Sequence, residues 1–172
     1  YLTLPGGHRV GLTGKAVLEK GTVRTMTSIH ALNVRIARAV PGAADSLMEK
    51  VLFGGIIHNT LLLSPPGCGK TTVLRDIVRQ LSDGIPRLQF QGVQVSVVDE
   101  RSELAGCVSG IPQLEIGCRT DVLDGCPKQE GIPLMLRSMG PQVIAMDEIG
   151  TEEDAAALEA ALQSGVAIMT TA

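Results

Sequence analysis

A segment between an apolar run and an amphipathic stretch has the composition of a loop that binds phosphate groups. It consists of Ser64, Pro65, Pro66, Gly67, Cys68, Gly69, Lys70, Thr71 and Thr72. Glycines let the backbone wrap closely, so that successive N–H groups point at phosphate oxygens. In this pattern the lysine reaches the β- and γ-phosphates, and the hydroxyl of Thr71 ligates Mg²⁺. The segment therefore predicts the binding of Mg-ATP.

The segment departs from the usual phosphate-loop pattern at one position. Ser64 occupies the place of the first glycine in G-x-x-x-x-G-K-[ST], whereas Gly69, Lys70 and Thr71 fit the pattern. Serine adopts many turn conformations, so we expect a small geometric adjustment and retained binding. The alternative is a chance glycine-rich turn between a strand and a helix, and the flanking apolar pattern argues against it.

Two apolar stretches end in an aspartate followed by a glutamate. Asp147 and Glu148 follow one stretch, and Asp99 and Glu100 follow the other. At a strand end beside a phosphate loop, an aspartate can hold Mg²⁺ while a glutamate polarises the attacking water. We assign Asp147 to magnesium and Glu148 to the water, and we keep Glu100 as a rival catalytic base. Acidic strand ends with local ion pairs are the alternative interpretation for both.

Arginines are candidates for completing such a site across a subunit boundary, because a guanidinium neutralises charge that develops on the transferred phosphoryl group. The candidates are Arg35, Arg38, Arg101 and Arg119. Arg119 falls in a stretch rich in Gly and Pro, where a ligand-responsive loop is expected. An ordinary surface ion pair is the alternative for each of them.

Alternating strands and helices are predicted to position these residues. Continuous apolar runs predict strands at 59–64, 93–98, 143–146 and 166–169. Helical spacing and a capping pattern predict helices at 44–52, 73–83, 128–138 and 151–163. Residues 105–127 are predicted to form a long loop. This order predicts a three-layer α/β domain with a mostly parallel sheet, which is the RecA/AAA-like fold of P-loop NTPases.

The first part of the chain has a different sequence pattern. Residues 1–42 read as short strands punctuated by glycines, and Pro41-Gly42 then breaks the chain. We predict a β-rich lead-in over 1–42 and a P-loop core over 43–172. The chain opens without Met in a strand region and stops directly after an apolar strand. We therefore expect the lead-in to end a truncated N-terminal domain and the core to be truncated at its C-terminus.

The composition narrows the class of protein and its partners. Apolar residues make up 44% and charged residues 19% of the chain, as in folded globular proteins. A net charge of −3 and 2% aromatic residues argue against nucleic acid as a partner. No apolar run approaches the roughly 20 residues that span a bilayer. The cysteines lack metal-site spacing, which favours reduced thiols and a cytoplasmic location.

Longer stretches of the chain resemble the stage III sporulation protein AA family. They are residues 6–11, 32–38, 64–72, 98–103, 119–128 and 147–150. The resemblance covers nearly the whole chain, and the stretch 119–128 is more specific than the phosphate loop alone. That family is similar to the hexameric ATPases of type II and type IV secretion and pilus machines.

The resemblance implies an ATP-hydrolysing motor that forms a homo-oligomeric ring, such as a hexamer. It implies a cytoplasmic location in the mother cell, with peripheral membrane association through membrane-embedded channel proteins of the sporulation complex. There the motor would energise assembly or transport by the channel linking mother cell and forespore. Secretion ATPases often carry an acidic box where Asp99 and Glu100 lie, so the division of labour between Glu100 and Glu148 stays open. A nucleotide-dependent scaffold with little turnover and an ATPase acting on nucleic acid are the alternatives.

Overall fold

The computed structural model describes residues 2–172, and its first three strands form an antiparallel sheet of their own. These strands are β1 (Leu2–Leu4), β2 (His8–Glu19) and β3 (Thr22–Arg35). Most side chains of β2 and β3 are exposed or only half-buried. The β-rich character predicted for this part of the chain is confirmed, but the prediction of short strands was wrong, because β2 has 12 residues and β3 has 14. The domain boundary at residue 42 stays a prediction.

The second sheet has five parallel strands in the order β4-β8-β7-β5-β6. The strands are β4 (Thr60–Leu62), β5 (Val95–Asp99), β6 (Thr120–Asp124), β7 (Val143–Met146) and β8 (Ala167–Thr171). Leu62 pairs with Thr171, Val98 with Met146, and Asp99 with Asp124, so all five carboxyl ends lie at one edge. This edge is where ligands bind in open α/β sheets.

Helices cover both faces of the parallel sheet. They are α1 (Met48–Val51), α2 (Lys70–Asp83), α3 (Lys128–Ser138) and α4 (Glu152–Gln163). Alternate residues of β7 point to opposite faces: Val143 and Ala145 pack with α1 and α2, whereas Ile144 and Met146 pack with α3 and α4. The predicted three-layer α/β fold is therefore confirmed.

Two predicted elements after residue 42 were also wrong in extent. Residues 105–127 contain the strand β6, which pairs in parallel with β5. The predicted helix over 44–52 is α-helical only at Met48–Val51, since hydrogen-bonded turns precede it and a 3-10 turn at Phe53–Gly55 follows. Both errors have the same physical source, because tertiary pairing and packing override short-range pattern.

The antiparallel sheet contacts the loop that follows β5. Gly7 has φ +77°, and a Cβ there would lie 2.8 Å from the carbonyl oxygen of Ser102, so only glycine permits this approach. Arg9 forms an ion pair with Glu103 beside this contact. None of the helices in residues 2–172 is both long and apolar enough to cross a bilayer.

Candidate active site

The phosphate loop connects the carboxyl end of β4 to the first turn of α2. Gly67 and Gly69 have φ of +80° and +88°, in the left-handed region that favours glycine. Gly69 is the N-cap of α2, and no side chain within residues 2–172 caps that helix end. The first amides of α2 are therefore available to phosphate oxygens at the positive end of the helix dipole.

The lysine of the loop folds back across it. The Nζ of Lys70 donates a hydrogen bond to the carbonyl oxygen of Ser64, with a donor–acceptor distance of 2.5 Å. An ammonium has three donors, so two remain for a ligand. Ser64 contributes through its backbone, and its hydroxyl donates to the carbonyl oxygen of Pro65 at 3.3 Å. The loop therefore accommodates a serine at the position of the first glycine, and Lys70 still contacts the start of the loop.

Asp147 lies at the carboxyl end of β7 between two threonine hydroxyls. The Oγ1 of Thr71 is 3.4 Å from Oδ2 of Asp147 and 3.5 Å from Oδ1. The Oγ1 of Thr171 donates to Oδ1 of Asp147 at 3.0 Å. The structure therefore brings together both residues predicted to hold the metal. A hydroxyl and a half-buried carboxylate are oxygen donors suited to Mg²⁺, which keeps several waters and takes its remaining ligands from phosphates.

Thr171 had no role assigned from the sequence. Its signal was its position at the end of an apolar strand that directly precedes the chain's last residue. The strand order explains the contact, because β8 lies between β4, which leads into the phosphate loop, and β7, which leads into Asp147. Sequence pattern alone does not reveal that order.

The other acidic strand end has a different environment. Asp99 is only 1% exposed, and its carboxylate accepts hydrogen bonds from the backbone N–H groups of Glu103 and Ala105, both at 2.8 Å. Burial raises the pKa of Asp99 to about 6, against the opposing effect of the loop amides. Asp99 thus holds the loop after β5 in place.

The two glutamates lie on one cavity of about 310 Å³, at the ends of β5 and β7. Glu148 is largely exposed, and its Oε2 is 4.0 Å from the guanidinium of Arg101. Glu100 accepts a hydrogen bond at 2.6 Å from Nζ of Lys128, which is buried. Both candidate bases are therefore at the carboxyl edge, and Glu100 has the closer charged partner, at 2.6 Å against 4.0 Å for Glu148.

The predicted arginines occupy three separate places. Arg35 and Arg38 line a cavity of about 250 Å³ together with Thr71 and Thr72, so they lie beside the first turn of α2 in the same subunit. Arg101 lies beside Glu148.

Arg119 precedes β6 and therefore lies at the amino edge of the sheet, where its guanidinium donates to the carbonyl oxygen of Ser82. Arg119 therefore lies at the edge of the sheet opposite the phosphate loop of its own chain.

Arg75 links α2 to these surroundings. Its guanidinium is buried and donates to the carbonyl oxygens of Leu104 at 2.6 Å and of Glu103 and Arg38 at 2.7 Å. The same side chain therefore fixes the loop after β5 and the segment after β3 relative to the helix that carries Thr71. Sequence reasoning missed Arg75, because its helical position marks it only as one polar residue within an amphipathic helix.

Comparison with known proteins decides the family. The family described as "Sporulation stage III, protein AA" matches residues 1–172. The chain belongs to this family. The stage III sporulation protein AA of Bacillus subtilis (strain 168) is 48% identical over 172 residues, which are all of this chain and 55% of that protein. The resemblance drawn from the motifs is confirmed.

More distant relatives share most of the chain. An uncharacterized protein ycf45 of Porphyra purpurea is 35% identical over 147 residues, covering 84% of this chain and 24% of that protein. The protein SEEDLING PLASTID DEVELOPMENT 1 of Arabidopsis thaliana is 32% identical over 146 residues, covering 84% of this chain and 20% of that protein. The chain spans about half the length of its Bacillus relative and a quarter or less of the length of these two relatives.

A solved structure supports the fold. The Legionella pneumophila ATPase DotB superposes with a TM-score of 0.56 at 22% identity, covering 95% of this chain and 42% of that one. At this identity the likeness establishes a common fold. Together with the parallel sheet and the phosphate loop, it confirms that this member of the sporulation stage III protein AA family has the predicted P-loop NTPase fold.

Proposed function

We propose that the chain binds Mg-ATP and hydrolyses it to ADP and phosphate. The observation that carries this proposal is the convergence of Lys70, Thr71 and Asp147 at the carboxyl edge of the sheet. The α2 amides and Lys70 would hold the phosphates, and the Thr71 hydroxyl and Asp147 carboxylate would hold the metal and its waters. Bound Mg²⁺ would supply charge neutralisation on the phosphate oxygens.

Glu148 is the residue that we propose orients and deprotonates the attacking water. It directly follows Asp147, and its exposed carboxylate faces the cavity that it shares with Glu100. Arg35 and Arg38 are proposed to contact the phosphates from the cavity beside Thr71, because they line it in the same subunit. Arg101 and Arg119 are proposed to act across a subunit boundary.

Steady-state ATPase activity of the full-length protein with Mg²⁺ tests the proposal. Lys70→Ala should reduce ATP affinity and abolish turnover, since it removes the cation that reaches the phosphates. Lys50→Ala is the matched control, because Lys50 is an exposed lysine on α1. Turnover that persists in Lys70→Ala at the wild-type level would contradict the site. ATP binding without turnover in the wild type would instead favour a nucleotide-dependent scaffold.

The cellular role that we propose is to energise assembly or transport by the mother cell–forespore channel during sporulation. Family membership and the 48% identical Bacillus protein support a role in sporulation. We propose a ring of subunits, such as a hexamer, located in the mother-cell cytoplasm and held at the membrane by channel proteins. The position of Arg119, remote from its own phosphate loop, supports completion of each site by a neighbour.

Oligomerisation can be measured independently of the cellular role. Activity per subunit should rise with protein concentration in parallel with the fraction of rings seen by sedimentation velocity. Arg119→Ala should lower that activity without weakening ATP binding to the isolated subunit. Full activity per subunit at concentrations where only monomer sediments would contradict the ring.

A further inference from the structure

Lys128 is a buried cation in a place where helix electrostatics disfavour it. It is the first residue of α3 and only 6% exposed. The N-terminal end of a helix carries a partial positive charge, so an ammonium there is destabilised by the helix that it begins. Burial of an ammonium costs further free energy unless the charge is paired. Its position must therefore be set by its partners.

The partners are two carboxylates from different elements. The Nζ of Lys128 is 2.6 Å from Oε2 of Glu100, which follows β5, and 3.8 Å from Oδ2 of Asp154 in α4. Asp154 is itself fixed, because its Oδ2 accepts from the backbone N–H groups of Gly150 and Thr151 within the capping box of α4. Lys128 thus joins the end of β5 to the start of α4.

This bridge spans the cavity that contains both candidate catalytic glutamates. Glu100, Lys128, Glu148 and Asp154 all line the cavity of about 310 Å³ at the carboxyl edge. Lys128 is held by Asp154 on one side and holds Glu100 on the other. Through Lys128, the Glu100 carboxylate is therefore connected to the N-terminus of α4, the helix that follows Glu148 in the chain.

We propose that Lys128 is a positioning residue for ATP hydrolysis, acting by fixing the carboxylate of Glu100 at the wall of the cavity next to Glu148. The proposal rests on the proposed function, and it assigns Lys128 no contact with the nucleotide. Departure of Glu100 would leave a buried ammonium whose nearest remaining carboxylate, that of Asp154, is 3.8 Å away, so separation of the pair is unfavourable. The bridge is thus a fixed support for Glu100.

The test is a double-mutant cycle in turnover, measured on the full-length protein with Lys128→Met, Glu100→Gln and the double variant. Lys128→Met should lower kcat about tenfold while KM changes less than about twofold, because misplacement of the carboxylate beside the proposed base Glu148 acts on the chemical step and not on ATP binding. In the Glu100→Gln background, Lys128→Met should have no further effect. Lys128→Arg should restore part of the loss.

Several outcomes would overturn the proposal. A rise in kcat in Lys128→Met would mean that Lys128 inhibits turnover. An equal loss in the Glu100→Gln background would mean that Lys128 acts by another route, and a matching loss in Asp154→Asn would identify α4 as that route. An unchanged kcat in Lys128→Met would also overturn it. Wild-type turnover no higher than that of Lys70→Ala would instead refute the proposed function itself.

Discussion

Asp99 and Asp147 end two neighbouring apolar strands of one parallel sheet, and each is followed by a glutamate, yet the fold uses them differently. Asp99 is 1% exposed and binds two amides of the loop that follows it. Asp147 is half-buried and lies between the hydroxyls of Thr71 and Thr171. The same dipeptide therefore anchors a loop in one place and faces the phosphate loop in the other. Neighbours across the sheet decide the role of a strand-end carboxylate.

The largest effect expected within this comparison separates the two glutamates. Glu148→Gln should lower kcat about 100-fold, in the range typical of a lost general base, whereas Glu100→Gln should lower it about tenfold. The reason is that Glu148 is exposed beside Asp147, while one oxygen of Glu100 is occupied by Lys128. Steady-state kinetics with saturating Mg-ATP measure both. A larger loss in Glu100→Gln would exchange the two roles.

A smaller effect concerns the contribution of Asp99 to the free energy of unfolding and its dependence on pH. Its pKa is raised to about 6 by burial, so between pH 4 and 6 the folded state binds more protons than the unfolded state. Its contribution to the free energy of unfolding is therefore present at low pH and is lost as the pH rises through 6. Between about pH 4.5 and 7.5 the loss amounts to about 2 kcal/mol.

Urea denaturation of the wild type and of Asp99→Asn across that pH range isolates this contribution. The wild-type free energy of unfolding minus that of Asp99→Asn should fall as the pH rises. Asp147→Asn serves as the matched carboxylate control. A difference between wild type and Asp99→Asn that stays constant with pH would show that Asp99 is not desolvated as its burial indicates.

The smallest effect compares two adjacent threonines of β8. Thr171→Val removes the hydroxyl that donates to Asp147 and should lower kcat/KM about fivefold, the worth of one hydrogen bond. Thr170→Val is the control, because the buried Thr170 hydroxyl has no hydrogen-bond partner within residues 2–172. The control should leave turnover unchanged and raise the melting temperature. Equal losses in both variants would remove Thr171 from the site.

Much of the fold was predictable because its strands are continuous apolar runs. The apolar run before Asp147 and the helix α4, with its capping box at Thr151, follow from local pattern alone. The strand β6 was missed because its five half-buried residues lie between Gly117 and Gly125 and gain their strand pairing from β5. A local pattern cannot reveal a pairing with residues 25 positions away.

The candidate site was likewise predictable only in part. The phosphate loop and Asp147 follow from sequence motifs, because the glycines, the lysine and the acid are adjacent or follow a strand. The contacts of Lys128 with Glu100, of Thr171 with Asp147 and of Arg75 with the loop after β5 were not predictable. Each joins residues at least 24 positions apart and depends on strand order and side-chain burial.

The most direct test of the account is the Mg²⁺ dependence of ATP affinity, measured by titration calorimetry for the full-length wild type, Asp147→Asn and Asp99→Asn. We expect ATP to bind the wild type more tightly with Mg²⁺ than with a chelator, and Asp147→Asn to lose that difference. Asp99→Asn should keep it, because Asp99 anchors a loop. Loss of the Mg²⁺ dependence in Asp99→Asn, with its retention in Asp147→Asn, would contradict the roles assigned to the two strand ends.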